Sequence, residues 1–265
     1  METEQGWVPK LVAVDADGTI VGGDDRVPNQ IGERLRQISA QGTPVVLVTG
    51  RAWLSSELVL DQLQIPHMYC VCNNGATVVS YPPLEIHRAQ TFDPTPIIEV
   101  VRTHPTMTMA VEDFGRGYRI SAPFVGGIYE LHGELRIQSW EELAAEPVSR
   151  IILRDSVASE QEFASVIAQI DLTSLYHSKG GRNWLDIGAE GVGKDAGLAF
   201  AAAQLGVARE DVLALGDGYN DIDMVGWAGR GVALDGAPPE LMAVADAMAG
   251  PFPQGTLDEL DRWFR

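Results

Sequence analysis

Two short segments concentrate acidic residues at fixed spacing: Asp15-Ala16-Asp17-Gly18-Thr19 and Gly216-Asp217-Gly218-Tyr219-Asn220-Asp221. Between them lie Thr49-Gly50-Arg51, Asn73-Asn74-Gly75-Ala76 and a lysine, Lys194, in Gly191-Val192-Gly193-Lys194-Asp195. Clustered carboxylates can hold a hard cation and move protons, and a lysine among them can offset the charge of an anion. Each segment also has a plainer reading. An Asp-Gly after a strand commonly makes a turn, and a strand-end Thr commonly caps a helix. The first segment has four defined residues, however, and at average usage such a coincidence arises at roughly 10⁻⁵ per position. Lys194 opens a helical pattern, where the helix dipole disfavours a cation, so a solvated surface charge explains it poorly.

These residues fall where apolar runs end. Lys10-Leu11-Val12-Ala13-Val14 reads as a strand buried on both faces and stops at Asp15. Ile31, Leu35 and Ile38 repeat at helical spacing between Pro28 and the stop signal Gly42. A second strand, Pro44 to Val48, runs into Thr49, a helix follows from Trp53 to Leu63, and the run Tyr69 to Cys72 ends at the Asn73 turn. Strand and helix alternating in this way imply a right-handed, doubly wound parallel sheet, whose ligands sit beyond the carboxyl ends of its strands. From Tyr81-Pro82-Pro83 to Trp184 the pattern changes to short alternating strands (Met107 to Glu112, Tyr118 to Ser121, Ser149 to Leu153) with helices near Thr95 to Thr103 and Ser159 to Ile170. The first rhythm then resumes with a helix from Gly193 to Leu205, a buried strand from Val212 to Gly216, and further helices. The expected fold class is α/β: a doubly wound parallel-sheet (Rossmann-like) core over residues 1–82 and 186–265, with an inserted α+β cap domain over 83–185.

In this order the four segments resemble the motifs of the haloacid dehalogenase superfamily: Asp-x-Asp-Gly-Thr, Thr-Gly-Arg, Gly-Val-x-Lys and Gly-Asp-x-x-Asn-Asp. The position of the insertion, together with Asn73-Asn74-Gly75-Ala76, resembles the Cof-type subfamily with a class II-B cap. Gly193 and Asp195, where that family often has Ser and Gly, are the departures. The resemblance implies that Asp15 is a nucleophile forming an aspartyl-phosphate, and that Asp17 is general acid and then base. An Asp at that second position implies rapid turnover to free phosphate. Thr49, Gly50, Lys194 and Asn220 would bind phosphate, helped by N–H groups of the helix starting near Trp53. The cofactor implied is Mg²⁺, with Asp15, Asp17 (through its main-chain carbonyl), Asp217 and Asp221 as the metal set, Asp221 steadying Lys194 and a bound water. Arg51, Asn74 and Arg182 are possible substrate contacts, and Glu112, Arg116, Arg119, His177 and Lys179 are further candidates within the insertion.

The activity so implied is that of a Mg²⁺-dependent phosphatase acting on phosphomonoesters of small metabolites, sugar phosphates first and phosphorylated cofactors such as pyridoxal phosphate or flavin mononucleotide next. Two alternatives stand beside it: a phosphomutase of the phosphomannomutase type, and a non-catalytic sensor of a phosphorylated metabolite. Composition limits the partners. With 19 Lys+Arg against 37 Asp+Glu, the formal charge of −18 excludes nucleic acid, whose affinity comes from basic residues displacing counterions. No apolar stretch approaches the ~20 residues of a membrane helix, and the acidic start Met1-Glu2-Thr3-Glu4 is unlike a secretory peptide. A cytoplasmic monomer or homodimer with a small phosphorylated metabolite as its ligand is expected. Cys70 and Cys72, on one side of a strand, are expected to be buried as small hydrophobes.

Overall fold

The computed structural model describes residues 6–124, 131–172, 176–179 and 183–264, with the side chains of 176–179 outside the description. Elements are numbered in chain order. The first stretch comprises β1 (Leu11–Val14), α1 (Asn29–Ala40), β2 (Val45–Val48), α2 (Trp53–Leu63), β3 (Met68–Cys72), a 3₁₀ turn (Asn73–Gly75), β4 (Thr77–Tyr81) and β5 (Glu85–Ala89). There follow α3 (Thr95–Val101), β6 (Thr108–Asp113), β7 (Gly117–Ile120), β8 (Glu134–Ile137), α4 (Trp140–Leu143), β9 (Arg150–Arg154), α5 (Glu160–Ile167), β10 (Tyr176–Lys179) and β11 (Trp184–Gly188). The chain closes with α6 (Lys194–Gln204), β12 (Val212–Gly216), α7 (Ile222–Trp227), β13 (Arg230–Ala233), α8 (Pro239–Val244), β14 (Ala247–Met248) and α9 (Gln254–Trp263), with a short 3₁₀ turn, Tyr219–Asp221, ahead of α7. No helix among the described residues is long and apolar enough to cross a membrane.

Two compact units result: Met1–Gly50, Ser56–Arg88 and Gly193–Arg265 form the first, Arg51–Ser55 and Ala89–Val192 the second. In the first unit the described strands pair in the order β14-β13-β12-β1-β2-β3-β4-β5. Pairing is parallel from β14 through β3 and antiparallel between β3 and β4. The strands β1, β2 and β12 are buried along their whole length, as their uninterrupted apolar runs require of a sheet covered on both faces. Leu11, Ala13, Val46 and Val48 pack with Leu198 and Ala201 of α6 and Met224 and Val225 of α7. Because side chains alternate along a strand, Val12, Val14, Val45 and Leu47 face the other way, the side taken by α1 with its buried Ile31, Leu35 and Ile38. Cys70 and Cys72 are free and buried, their Sγ atoms 3.4 Å apart.

The order reverses at β1, which lies between β2 and β12. That is the topological switch point at which an open α/β sheet leaves a crevice beyond its strand ends.

In the second unit, the described strands pair in the order β10-β11-β9-β6-β7-β8, antiparallel except between β7 and β8. Ile97 and Val101 of α3 and Phe163 and Val166 of α5 cover one face through Met109, Val111, Ile151, Leu153 and Leu185. The helix α5 begins on a capping box: Ser159 Oγ accepts from the Glu162 N–H and Glu162 reaches back to the Ser159 N–H. The opposite face carries Ala110, Tyr118, Ile152 and Trp184, joined by Ala52 from the short segment ahead of α2.

The division between units falls a few residues beyond the expected 82/83 and 185/186. Tyr81-Pro82-Pro83 reads as a break in the pattern, yet it is the turn that joins β4 to β5 within the first sheet. At the other end β11, which spans the expected boundary, pairs with β9 in the second sheet.

Candidate active site

The strands β1 and β12 are neighbours in register, Val14 facing Leu215, so the chain delivers Asp15 and Asp217 to one end of the sheet at the switch point. Asp15 is 5% exposed, Lys194 1% and Asp221 fully buried. Lys194 stands at the first position of α6, and its Nζ donates to Asp15 Oδ1 at 2.5 Å and to Asp221 Oδ1 at 2.6 Å. The second oxygen of Asp221 accepts from the backbone N–H groups of Asp217, 3.0 Å, and Gly218, 2.9 Å. One carboxylate therefore fixes both the ammonium and the turn carrying Asp217.

Two glycines make these approaches possible. Gly18 has φ +80°, and a Cβ there would lie 2.1 Å from Asp217 Oδ2. Gly75 has φ +102°, and a Cβ would lie 2.0 Å from the carbonyl oxygen of Gly193, the residue before α6. Only glycine tolerates that backbone conformation together with that proximity, and the second contact sets where the helix bearing Lys194 begins.

Sequence reasoning passed over part of the support. Thr19 Oγ1 donates to Asp217 Oδ1 at 3.0 Å, and Thr256 Oγ1 donates to the Thr19 carbonyl at 2.6 Å. Thr19 was visible inside its motif, whereas nothing local marks Thr256, far along the chain on α9. Thr49 is buried at the end of β2, and its carbonyl accepts from the Asn74 N–H at 3.1 Å. Asn220 Nδ2 donates to Asn74 Oδ1 at 3.0 Å, with Gly50 lying against both amides. Asn74 itself sits at φ 51°, a left-handed conformation that asparagine adopts more readily than most residues.

The electrostatics are unbalanced. Carboxylate oxygens of Asp15, Asp217 and Asp221 lie within 4.8 Å of one another, with one ammonium among them. Burial pushes the Asp15 carboxyl well above its usual range and the charge of Asp221 adds to the rise, while Lys194 opposes it. Asp217 is raised by the same two causes. Burial works against the Lys194 ammonium too, but the attraction of Asp15 and Asp221 outweighs it, so the lysine holds its proton more firmly than usual. Three acids and one base leave an excess of negative charge in a desolvated place, and the donors are all oxygen. Such a cluster fits a hard divalent cation. Asp15, Asp217 and Asp221 each offer a carboxylate oxygen to it.

Several expected residues stand apart. The Asp17 side chain is exposed and outside the acidic cluster, in the turn where the Gly18 N–H donates to the Val21 carbonyl. Arg51 opens the second unit, and Arg182 lies outside the described residues. His177 and Lys179 are on β10, their side chains outside the description. Arg119 is buried and paired with Glu146 at 3.3 Å, and Arg116 is exposed. Of the first N–H groups of α2, that of Trp53 donates to Glu112 Oε1 at 3.2 Å.

Residues 12–251 match the family profile of haloacid dehalogenase-like hydrolases. The chain is 25% identical over 252 residues to a 5-amino-6-(5-phospho-D-ribitylamino)uracil phosphatase of Bacillus subtilis (strain 168), covering 88% of each chain. Its fold is similar to a haloacid dehalogenase-like hydrolase from Bacteroides thetaiotaomicron, with TM-score 0.84 at 21% identity over 97% of this chain and 100% of that one. It is also similar to a haloacid dehalogenase subclass IIB sugar phosphatase, with TM-score 0.80 at 20% identity, covering 96% of this chain and 98% of that one. At such identities the structural likenesses speak for the fold.

Proposed function

This chain belongs to the haloacid dehalogenase-like hydrolases, in their Cof-type branch, and we propose that it is a Mg²⁺-dependent phosphatase for phosphomonoesters of small metabolites, working through an aspartyl-phosphate. Sugar phosphates are the first substrate class and phosphorylated cofactors the second. The observation that carries this reading is the buried Asp15 carboxylate at the switch point, 2.5 Å from an ammonium that Asp221 holds in place.

Asp15 attacks phosphorus in line, and the ester bond to the leaving oxygen breaks. That oxygen takes a proton from Asp17, whose exposed side chain reaches the solvent side where an alcohol departs. Water then attacks the acyl phosphate, Asp17 accepts its proton, and inorganic phosphate leaves with Asp15 regenerated. Lys194 offsets the charge on nucleophile and phosphoryl group throughout. Thr49, Gly50 and Asn220 orient the phosphoryl oxygens, Asn74 steadying Asn220. Asp15, Asp217 and the Asp17 carbonyl would hold Mg²⁺, which when bound supplies the positive charge the cluster lacks.

The test is release of inorganic phosphate from a panel of phosphorylated metabolites, ranked by kcat/KM, before and after chelation. EDTA is expected to stop turnover and added Mg²⁺ to restore it. Activity that resists the chelator would contradict the metal assignment, and isomerisation of glucose 6-phosphate without phosphate release would contradict a hydrolase.

A further inference from the structure

Within the first unit, the Asp217 carboxylate is oriented by a turn from the far end of the chain. Its Oδ1 accepts from the Thr19 hydroxyl at 3.0 Å, and the group lies so close to Gly18 that a Cβ there would overlap it. The turn itself is closed by backbone bonds. The Ala16 carbonyl accepts from the N–H groups of Thr19, Ile20 and Val21, and the Gly18 N–H donates to the Val21 carbonyl. Those bonds use the Thr19 N–H; the Thr19 carbonyl is engaged from outside the turn, by Thr256 Oγ1 at 2.6 Å.

A helical threonine commonly returns its hydroxyl to a carbonyl of the preceding turn. Thr256 donates instead to a residue 237 positions away, and both residues are fully buried. Burial shields the bond from water, and a Thr19 carbonyl deprived of it would be left unsatisfied. The donor is also firmly placed. Thr256 lies in the first turn of α9, where Gly255 packs against the Gly250 carbonyl so closely that a Cβ would overlap it. One turn on, Glu259 is 4% exposed and accepts from Arg230 Nε of β13 at 2.8 Å and from Trp263 Nε1 at 2.9 Å. Helical spacing puts Thr256, Glu259 and Leu260 on one face, and all three are buried. The helix is thus docked on the unit that carries Asp217, and its first turn presents a fixed hydroxyl to the turn 16–21.

We propose that Thr256 is a positioning residue for the metal site: its bond fixes the Thr19 peptide, and the Thr19 hydroxyl in turn aims the Asp217 carboxylate at the cation. The proposal rests on the reading of Asp217 as a Mg²⁺ ligand. Thr256 touches neither substrate nor metal; it acts through Thr19, and the loss of groups that aim a ligating carboxylate is felt in metal affinity.

The experiment compares Thr256→Val, Thr256→Ser and Ile38→Val with the wild type. Mg²⁺ affinity is read in two ways: as the concentration giving half-maximal hydrolysis of p-nitrophenyl phosphate, and, without substrate, as the rise in Tm when Mg²⁺ is added to metal-free protein. Thr256→Val keeps the branched shape and removes the hydroxyl. It is expected to raise the half-maximal Mg²⁺ concentration about fivefold, the worth of one neutral hydrogen bond, and to shrink the Mg²⁺-dependent rise in Tm. Its kcat at saturating Mg²⁺ is expected to stay within about twofold of wild type. Thr256→Ser keeps the donor and is expected to hold Mg²⁺ affinity within about twofold of wild type. Ile38→Val removes one methylene from the buried face of α1 and is expected to lower Tm while leaving Mg²⁺ affinity unchanged. Should Thr256→Val fail to fold, Thr256→Cys, whose thiol is a weaker donor, takes its place with the same direction of change. Wild-type Mg²⁺ affinity in Thr256→Val or its replacement would overturn the proposal, as would an equal loss in Thr256→Ser or Ile38→Val. A wild-type protein whose Tm and turnover are both indifferent to Mg²⁺ would overturn the metal reading, and this inference with it.

Discussion

Asp15→Asn loses at least about 10⁴-fold in kcat, the scale on which removal of a covalent nucleophile is felt. An amide cannot form the acyl phosphate, and no second carboxylate replaces Asp15: Asp221 has both oxygens engaged, and Asp217 belongs to a turn held by Thr19. The fold survives. Asn has the size of Asp, its Oδ1 keeps the bond from Lys194, and removal of the charge relieves the cost of burying it and its repulsion from Asp221 and Asp217. The melting temperature is accordingly expected to match or exceed that of the wild type. Steady-state phosphate release with a thermal melt on the same preparation checks both halves, and wild-type turnover by a correctly folded Asp15→Asn protein would refute the nucleophile assignment.

Lys194→Met strikes the same site from the opposite charge. The lysine is 1% exposed and holds two carboxylates, so its removal leaves both buried without their cation. Breaking a buried pair from one side costs about 3–5 kcal/mol, and the loss of a fixed charge at the reacting group costs about 10²–10³-fold in kcat. Addition of Asp221→Asn to the same chain is expected to recover part of the stability, because one uncompensated charge disappears, while recovering none of the activity. Such non-additivity is what contacting residues produce. Denaturant unfolding of the two single variants and the double variant, beside their kinetics, gives the comparison. Independent, additive effects would mean that Lys194 and Asp221 do not act as a unit.

The catalytic core was largely legible because its signals are local. Short apolar runs ending in polar groups marked β1, β2, β3 and β12, and the parallel order brings those ends together. The helical spacing of Ile31, Leu35 and Ile38 is the buried face of α1. What escaped depends on contacts distant in the chain. The bond from Thr256 to Thr19 joins the last helix to the first motif, and no periodicity or composition announces it. Glu112 was legible only as a candidate substrate contact of the insertion, whereas the Trp53 N–H and Ser149 hydroxyl that meet its carboxylate in space carry no local signal. The strand β5 was assigned to the insertion because Pro82 and Pro83 read as a break, when they form a turn inside the sheet.

The covalent role of Asp15 is tested most directly by trapping the phospho-enzyme. Asp17→Asn slows attack of water on the acyl phosphate, and p-nitrophenyl phosphate has a leaving group that needs no general acid, so the first step continues while the second stalls. The variant, mixed with that substrate and Mg²⁺, is quenched in acid within a turnover and its peptides are mapped by mass spectrometry. The expected result is one phosphate, on the peptide bearing Asp15, absent when Asp15→Asn is added. Phosphate found on another residue, or a nitrophenol burst with no phosphorylated peptide at all, would contradict hydrolysis through Asp15.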